Sequence, residues 1–209
     1  EKMIGHDDDR AFSWISKEVL ADRYRWETVE VPAGNKGTKF DSIVDYWLRN
    51  KRAAHYHRVD FDPSLPPGEN GKIWNIWTGF AVRAQPGDWS LLQDHILHNI
   101  SGGDVELNAW VLNWMTLGLQ EPGEIIGTAI VLSGLPGTGK GILADAYGSL
   151  WGKHYTTITH EAHVTGRFNA HLFGRRFIFV DEGMWGGDRR VAGTLKTRIT
   201  EKYVTVEAK

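Results

Sequence analysis

The stretch from Ile125 to Lys140 constrains this chain more than any other. Ile125-Ile-Gly-Thr-Ala-Ile-Val-Leu132 is a continuous apolar run of the kind carried by a strand buried on both faces. It opens into Gly134-Leu-Pro-Gly-Thr-Gly-Lys140-Gly141, and residues 140–150 have helical character. Strand, glycine-rich turn and helix in that order predict an α/β fold with a phosphate-binding turn. The glycines let successive backbone N–H groups converge on an anion, and the helix adds its N-terminus. Gly134, Leu135, Pro136, Gly137, Thr138, Gly139, Lys140, Gly141 and Ile142 are therefore the candidate nucleotide-binding residues. Lys140 is also a catalytic candidate, through the charge it sets against β- and γ-phosphates.

The string follows G-x-x-x-x-G-K-[ST] as far as the lysine and departs at Gly141, which has no hydroxyl for magnesium. Two other readings stay open: a site that binds nucleotide without hydrolysing it, and a glycine-rich turn matched by chance. Mg²⁺ keeps several waters readily, so one missing protein ligand need not lose the ion.

A second element supports the first. Phe177-Ile-Phe-Val-Asp181-Glu182 is an apolar strand ending in two acids, the Walker-B pattern. In an open α/β sheet such a strand delivers its acids to the edge where the phosphate loop also lies. Asp181 is the candidate magnesium ligand, through a water, and Glu182 the candidate catalytic group that orients or deprotonates the attacking water. ATP is favoured over GTP because no Asn-Lys-x-Asp string is present.

The remainder reads less sharply. Phe12–Leu20 suggests a short amphipathic helix, 32–38 a loop, and Asp41–Leu48 a helix with Ile43, Val44, Trp47 and Leu48 on one stripe. His55–Phe61 suggests a short strand, and Asp62-Pro-Ser-Leu-Pro-Pro-Gly68 is the strongest break. Leu92, Ile96 and Ile100 recur at helical spacing. Asp104 is placed to cap a longer helix with Leu107, Trp110, Val111, Trp114 and Leu117 on its inner face. Tyr155–Ile158 and Arg176–Val180 read as strands, and Tyr203–Glu207 as a strand or hairpin arm. The expected division is an N-terminal region 1–66, a helical region 67–123 and a P-loop core 124–209.

Composition narrows the class. The 209 residues carry 24 basic and 26 acidic side chains, which excludes a generally basic, phosphate-coating protein. The absence of cysteine removes thiol catalysis and Cys-based metal sites. His154, His160 and His163 match no zinc spacing. Ten tryptophans point to aromatic core packing between helices. No apolar run is long enough for a membrane span. The segment after Glu182 is locally basic, with Arg189, Arg190, Lys196, Arg198, Lys202 and Lys209 against Asp188, Glu201 and Glu207. It is an ordinary charged surface or a strand arm that tracks nucleic-acid phosphates. Arg167 reads as a surface ion-pair residue or a phosphate contact.

With their surroundings these motifs resemble the superfamily 3-like helicase domain of phage and plasmid primase–helicase proteins, over roughly residues 42–209. The resemblance takes in Asn75-Ile-Trp-Thr-Gly79, Gly166-Arg-Phe-Asn169, Val180-Asp-Glu-Gly-Met-Trp-Gly-Gly-Asp188 and Leu195-Lys-Thr-Arg-Ile-Thr200. It implies an AAA+-like ATPase in the full-length protein, hydrolysing ATP with Mg²⁺ between subunits of a ring, usually a hexamer. It also implies translocation on DNA, single-stranded, in the cytoplasm of a bacterial or phage-infected cell. Lys140, Asp181 and Glu182 keep their roles in that comparison, and Lys196, Arg198 and Lys202 become the DNA-binding candidates. The family's sensor strand and trans-acting arginine would lie beyond Lys209, so the resemblance implies a core that is C-terminally incomplete. A sheet lacking that strand has raw edges. The rival functions are a nucleotide-dependent assembly or DNA-packaging module, and a small-molecule phosphotransferase.

Overall fold

A computed structural model describes residues 3–7, 12–34, 37–181, 189–201 and 205–207. The chain opens with two antiparallel hairpins. Strand β1 (Met3–Asp7) pairs with β2 (Phe12–Ser16), and β3 (Thr28–Pro32) pairs with β4 (Thr38–Ser42). The helix expected from Phe12 therefore begins later. Phe, Trp and Ile suit a strand once a partner is present. Helix α1 (Lys17–Arg23) starts only at Ser16, whose Oγ accepts the Val19 N–H at 3.3 Å. Helix α2 (Ile43–Arg49) follows β4 where the apolar stripe predicts it, and buries Val44.

A three-stranded sheet comes next. Strand β7 (Ile73–Asn75) is central, parallel to β5 (Arg58–Asp60) and antiparallel to β6 (Gly68–Asn70). The proline-rich break at 62–68 is gathered around one side chain. Asn75, 1% exposed, donates through Nδ2 to the carbonyls of Asp62 (2.8 Å), Leu65 (3.2 Å) and Pro66 (3.0 Å). Its Oδ1 accepts the N–H groups of Asp62 (3.0 Å) and Trp77 (3.1 Å). A buried amide with every lone pair and N–H used is a rigid junction.

Helix α3 (Ser90–His95) runs into a π-helical turn, Ile96–Ile100, closed by Ser101 N–H on the Ile96 carbonyl at 2.8 Å. Helix α4 (Val105–Gln120) is capped by Asp104, whose Oδ1 accepts from Glu106 N (2.9 Å) and Leu107 N (3.0 Å). Its inner face is rotated from the expected one. Val111 is buried and Met115 packs inward, whereas Leu107, Trp110 and Leu117 are about half exposed. Gly118 sets the rotation: a Cβ there would lie 2.5 Å from the Tyr147 hydroxyl, so the close approach to the next helix happens on that face.

Helix α5 (Lys140–Trp151) buries Leu143, Ala144, Tyr147, Gly148 and Trp151 on one stripe. It packs on the parallel pair β8 (Tyr155–Ile158) and β9 (Phe177–Val180). Short helix α6 (Glu161–Thr165) packs against α7 (Arg189–Thr200). Two buried clusters join the layers. One centres on Trp77, Tyr147 and Trp151 with Phe61, Trp114 and Phe177 against them; the other centres on Ile96, Val111 and Leu143.

One expected strand is not in a ladder, and the described part of another is irregular. Ile125–Leu132 has no regular structure, turning left-handed at Gly127 (φ 72°), and pairs with no strand among the described residues; Ile130 and Leu132 pack inward while Val131 is 89% exposed. A side chain meets the run midway: Trp114 Nε1 donates to the Thr128 carbonyl (3.3 Å) and Oγ1 (3.1 Å). Just before it, Arg176 Nε donates to the Pro122 carbonyl (2.7 Å) and anchors the turn that leads in. At the other end, residues 205–207 are not a strand, and Asn169 takes up their backbone groups; Tyr203 and Val204 of that expected strand lie outside the described residues.

Candidate nucleotide-binding site

The glycine-rich turn is shaped by two left-handed residues, Gly137 (φ 79°) and Gly139 (φ 86°), the second serving as N-cap of α5. Side chains other than glycine resist that conformation. The turn wraps its own lysine. Lys140 Nζ donates to the carbonyls of Gly134 (3.0 Å) and Leu135 (2.8 Å) and to Thr138 Oγ1 (3.3 Å), while Thr138 Oγ1 donates to the Leu135 carbonyl at 2.9 Å. The ammonium is thus held inside the ring of the loop, at the start of a twelve-residue helix whose first N–H groups have no intrahelical acceptor. Leu135 (77%) and Ile142 (63%) point to solvent, so the two candidates with large side chains would contribute through backbone rather than packing.

A cavity of about 270 Å³ adjoins the loop, between Asn99–Ile100 of the π-turn, the end of the extended run at Val131–Ser133, and Thr138 with Lys140. The sequence gives no hint of this wall from the helical region. Nor does it show that His95, at the end of α3, reaches the loop: its Nε2 lies 3.0 Å from the Gly139 carbonyl, 44 residues away. The spacing of His95 and Asn99 puts both on one helix face, which was the sole available signal.

Asp181 follows β9 and is exposed; its backbone N–H continues the ladder onto the Ile158 carbonyl at 2.9 Å. The neighbouring strand β8 is tied to α5 through Tyr155, whose hydroxyl donates to Asp145 Oδ1 at 2.8 Å. Burial, with smaller contributions from Asp145 and Asp181, pushes the Tyr155 hydroxyl up to about 12. Glu182 lies outside the described residues, as does Lys202. Lys196 is exposed on α7, a helix rather than a strand arm. Arg198 is less available: its Nε is enclosed without a hydrogen-bond partner, and burial lowers its pKa. Arg167 pairs with Glu207 at 2.7 Å.

The histidines do other work. His154 is buried, with Nδ1 2.7 Å from the Gly174 carbonyl and Nε2 accepting the Thr78 N–H at 3.1 Å. That arrangement fixes the Nδ1–H tautomer. His160, His163 and His171 stack edge to face, with centroids 5.7 and 5.5 Å apart.

Residues 132–209 match a family described as one of unknown function, DUF5906. A DNA primase-polymerase of Nitratiruptor phage NrS-1 is 26% identical over 120 residues, covering 55% of this chain and 16% of the phage protein. The apo C-terminal region of NrS-1 superimposes with a TM-score of 0.67 at 21% identity, covering 98% of this chain and 47% of that one. Its A form gives a TM-score of 0.65 at 19% identity, covering 92% and 51%. This chain therefore has a mixed α/β fold related to that of the NrS-1 C-terminal region, and is homologous to part of the phage protein. It spans about half of that region and a much smaller share of the whole phage protein. No helix among the described residues is long and apolar enough to cross a membrane.

Proposed function

We propose, from its kinship to a phage primase-polymerase, that this chain is the nucleotide-binding part of a DNA-replication ATPase with an AAA+-like, superfamily 3 helicase-like P-loop core. The observation that carries the reading is the lysine in its loop: Lys140 Nζ lies 2.8–3.3 Å from three oxygens of the turn, under the N-terminus of α5. A triphosphate entering that turn exchanges those neutral acceptors for charged oxygens, each a stronger partner for an ammonium. Gly137, left-handed and with nothing within 4 Å of where a Cβ would lie, leaves the loop backbone bare for close approach.

The donor set fits a polyphosphate. For magnesium, Asp181 offers an exposed carboxylate, while Gly141 offers no side-chain oxygen; a hydrated Mg²⁺ held through water suits that pairing. When bound, Mg²⁺ would neutralise charge on the phosphate oxygens. Glu182 is assigned the water-orienting role by its place after Asp181. Lys196, Arg198 and Lys202 are the DNA contacts, with Lys196 the most accessible of the two described. The ring, its single-stranded DNA and its translocation belong to the full-length protein. Gly141 favours one second reading, a module that holds ATP without turning it over.

Titration of the chain with fluorescent ATP and Mg²⁺ tests the proposal. Saturable binding that Lys140→Ala abolishes supports it. Absence of binding in the wild type, or binding indifferent to Lys140→Ala, overturns it. Phosphate release in the full-length protein separates the two readings.

A further inference from the structure

We propose that His95 is a positioning residue of the nucleotide site, holding the phosphate loop by its last carbonyl while Asn99 fixes its tautomer. The proposal rests on the nucleotide reading of residues 134–142. A carbonyl can only accept, so the 3.0 Å contact to Gly139 requires the proton on His95 Nε2. Nδ1 is then left as an acceptor, and Asn99 Nδ2 donates to it at 3.0 Å. The relay Asn99–His95–Gly139 thus has one consistent proton arrangement.

Its target is the residue on which the loop turns. Gly139 is left-handed, caps α5, and precedes Lys140. Its carbonyl also accepts the Leu143 N–H at 3.3 Å, so the imidazole N–H reinforces the first turn of the helix. The ring packs against it closely: a Cβ on Gly139 would lie 2.3 Å from His95 Cε1. Without that contact the φ, ψ of Gly139 are free to drift, and with them the directions of the loop N–H groups.

The π-turn supplies the geometry. An extra residue in one helical turn swings the next residues round the axis, and such bulges recur at functional sites. Here Asn99, inside the π-turn, both reaches back to His95 and lines the cavity beside Thr138 and Lys140. Ile96, in the same turn, is wholly buried and anchors it in the core. The helical region is therefore part of the site's wall rather than a spacer before it.

Glutamine and asparagine separate the hydrogen bond from the bulk of the ring. The Gln amide nitrogen falls near the position of Nε2, whereas that of Asn falls near Nδ1. Binding of Mg-ATP and Mg-ADP to the full chain is measured for wild type, Lys140→Ala, His95→Ala, His95→Gln and His95→Asn, with melting of each protein alone. Loss of one hydrogen bond to the loop weakens binding about five- to tenfold, and that loss is expected in His95→Ala and His95→Asn. His95→Gln is expected within about twofold of wild type, since its donor is kept. Equal affinities for the Gln and Asn variants, or wild-type affinity in His95→Ala, overturn the proposal. Wild-type binding that is lost in Lys140→Ala while His95→Ala is unaffected sinks this inference alone; no wild-type binding sinks the nucleotide reading beneath it.

Discussion

Asn169 and Glu207 hold each other by backbone and side chain at once. The Asn169 N–H donates to the Glu207 carbonyl at 3.0 Å, and Asn169 Oδ1 accepts the Glu207 N–H at 2.7 Å. Asn169 Nδ2 adds the Thr205 carbonyl at 2.9 Å. The Gly166–Asn169 string thus docks the last described segment, and Asn169 itself is 6% exposed.

Asn169→Ala should release residues 205–207 while leaving the distant core intact. The lost pair of buried side-chain bonds is expected to cost about 1–3 kcal/mol. Hydrogen exchange at the Glu207 amide, with a denaturant titration, measures both; unchanged protection at Glu207 would refute the clamp.

Asn75→Asp is expected to be far more damaging than its size suggests. Three carbonyls that now receive N–H bonds from Nδ2 would face a carboxylate oxygen in a site 1% exposed. A loss of about 3–5 kcal/mol is expected, by the cost of an uncompensated buried charge. Chemical denaturation against Asn75→Ala checks it; a milder Asp than Ala would contradict the assignment of the donors.

Alkaline pH should weaken the fold through two tyrosines. Burial pushes the Tyr147 hydroxyl up to about 12, with Arg176 pulling the other way, and Tyr155 likewise to about 12. Both folded-state values lie above the ordinary 10.0, so their contribution is fully present below pH 10 and is lost as pH rises through 12. Tyrosinate absorbance followed alongside denaturant stability tests this. Ionisation of every tyrosine near pH 10 with no loss of stability would contradict it.

Lys140→Ala should leave stability within about 0.5 kcal/mol, because the ammonium bonds only atoms of an exposed loop. On the proposed function its effect is expected in nucleotide binding. A large drop in melting temperature without nucleotide would show that the lysine holds the fold instead.

Much of this was legible beforehand where local chemistry decides. Asp104 caps α4, the Leu92–Ile96–Ile100 spacing packs as a helix face, and Phe177–Val180 forms a strand beside Tyr155–Ile158. The glycine-rich turn at 134–141 places glycine at 137 and 139, where the chain takes left-handed conformations that other residues resist. Partner-dependent features were not legible. Phe12–Ser16 became a strand because Met3–Asp7 pairs with it, and Ile125–Leu132 stayed outside a ladder, broken by the left-handed Gly127 and with Trp114 rather than a strand on the Thr128 carbonyl. The inner face of α4 turned on the Gly118–Tyr147 approach, and the His95–Gly139 contact joins residues with no shared local pattern.

The aromatic cluster has a bearing on where the folding unit is cut. Helix α5 follows the glycine-rich turn, yet much of the surface that covers Tyr147 and Trp151 comes from Phe61, Trp77, Trp114 and Met115, all upstream of residue 132 where the family match begins; Tyr155 and Phe177 add to it from within the match. Trp77 and Trp151 meet with ring centroids 6.3 Å apart across a long loop of chain. A polypeptide started at residue 132 would turn one side of those rings to water and present a sticky helix rather than a sheltered one. The cooperative unit is set by who shelters the tryptophans, and a boundary drawn by sequence similarity would sever it.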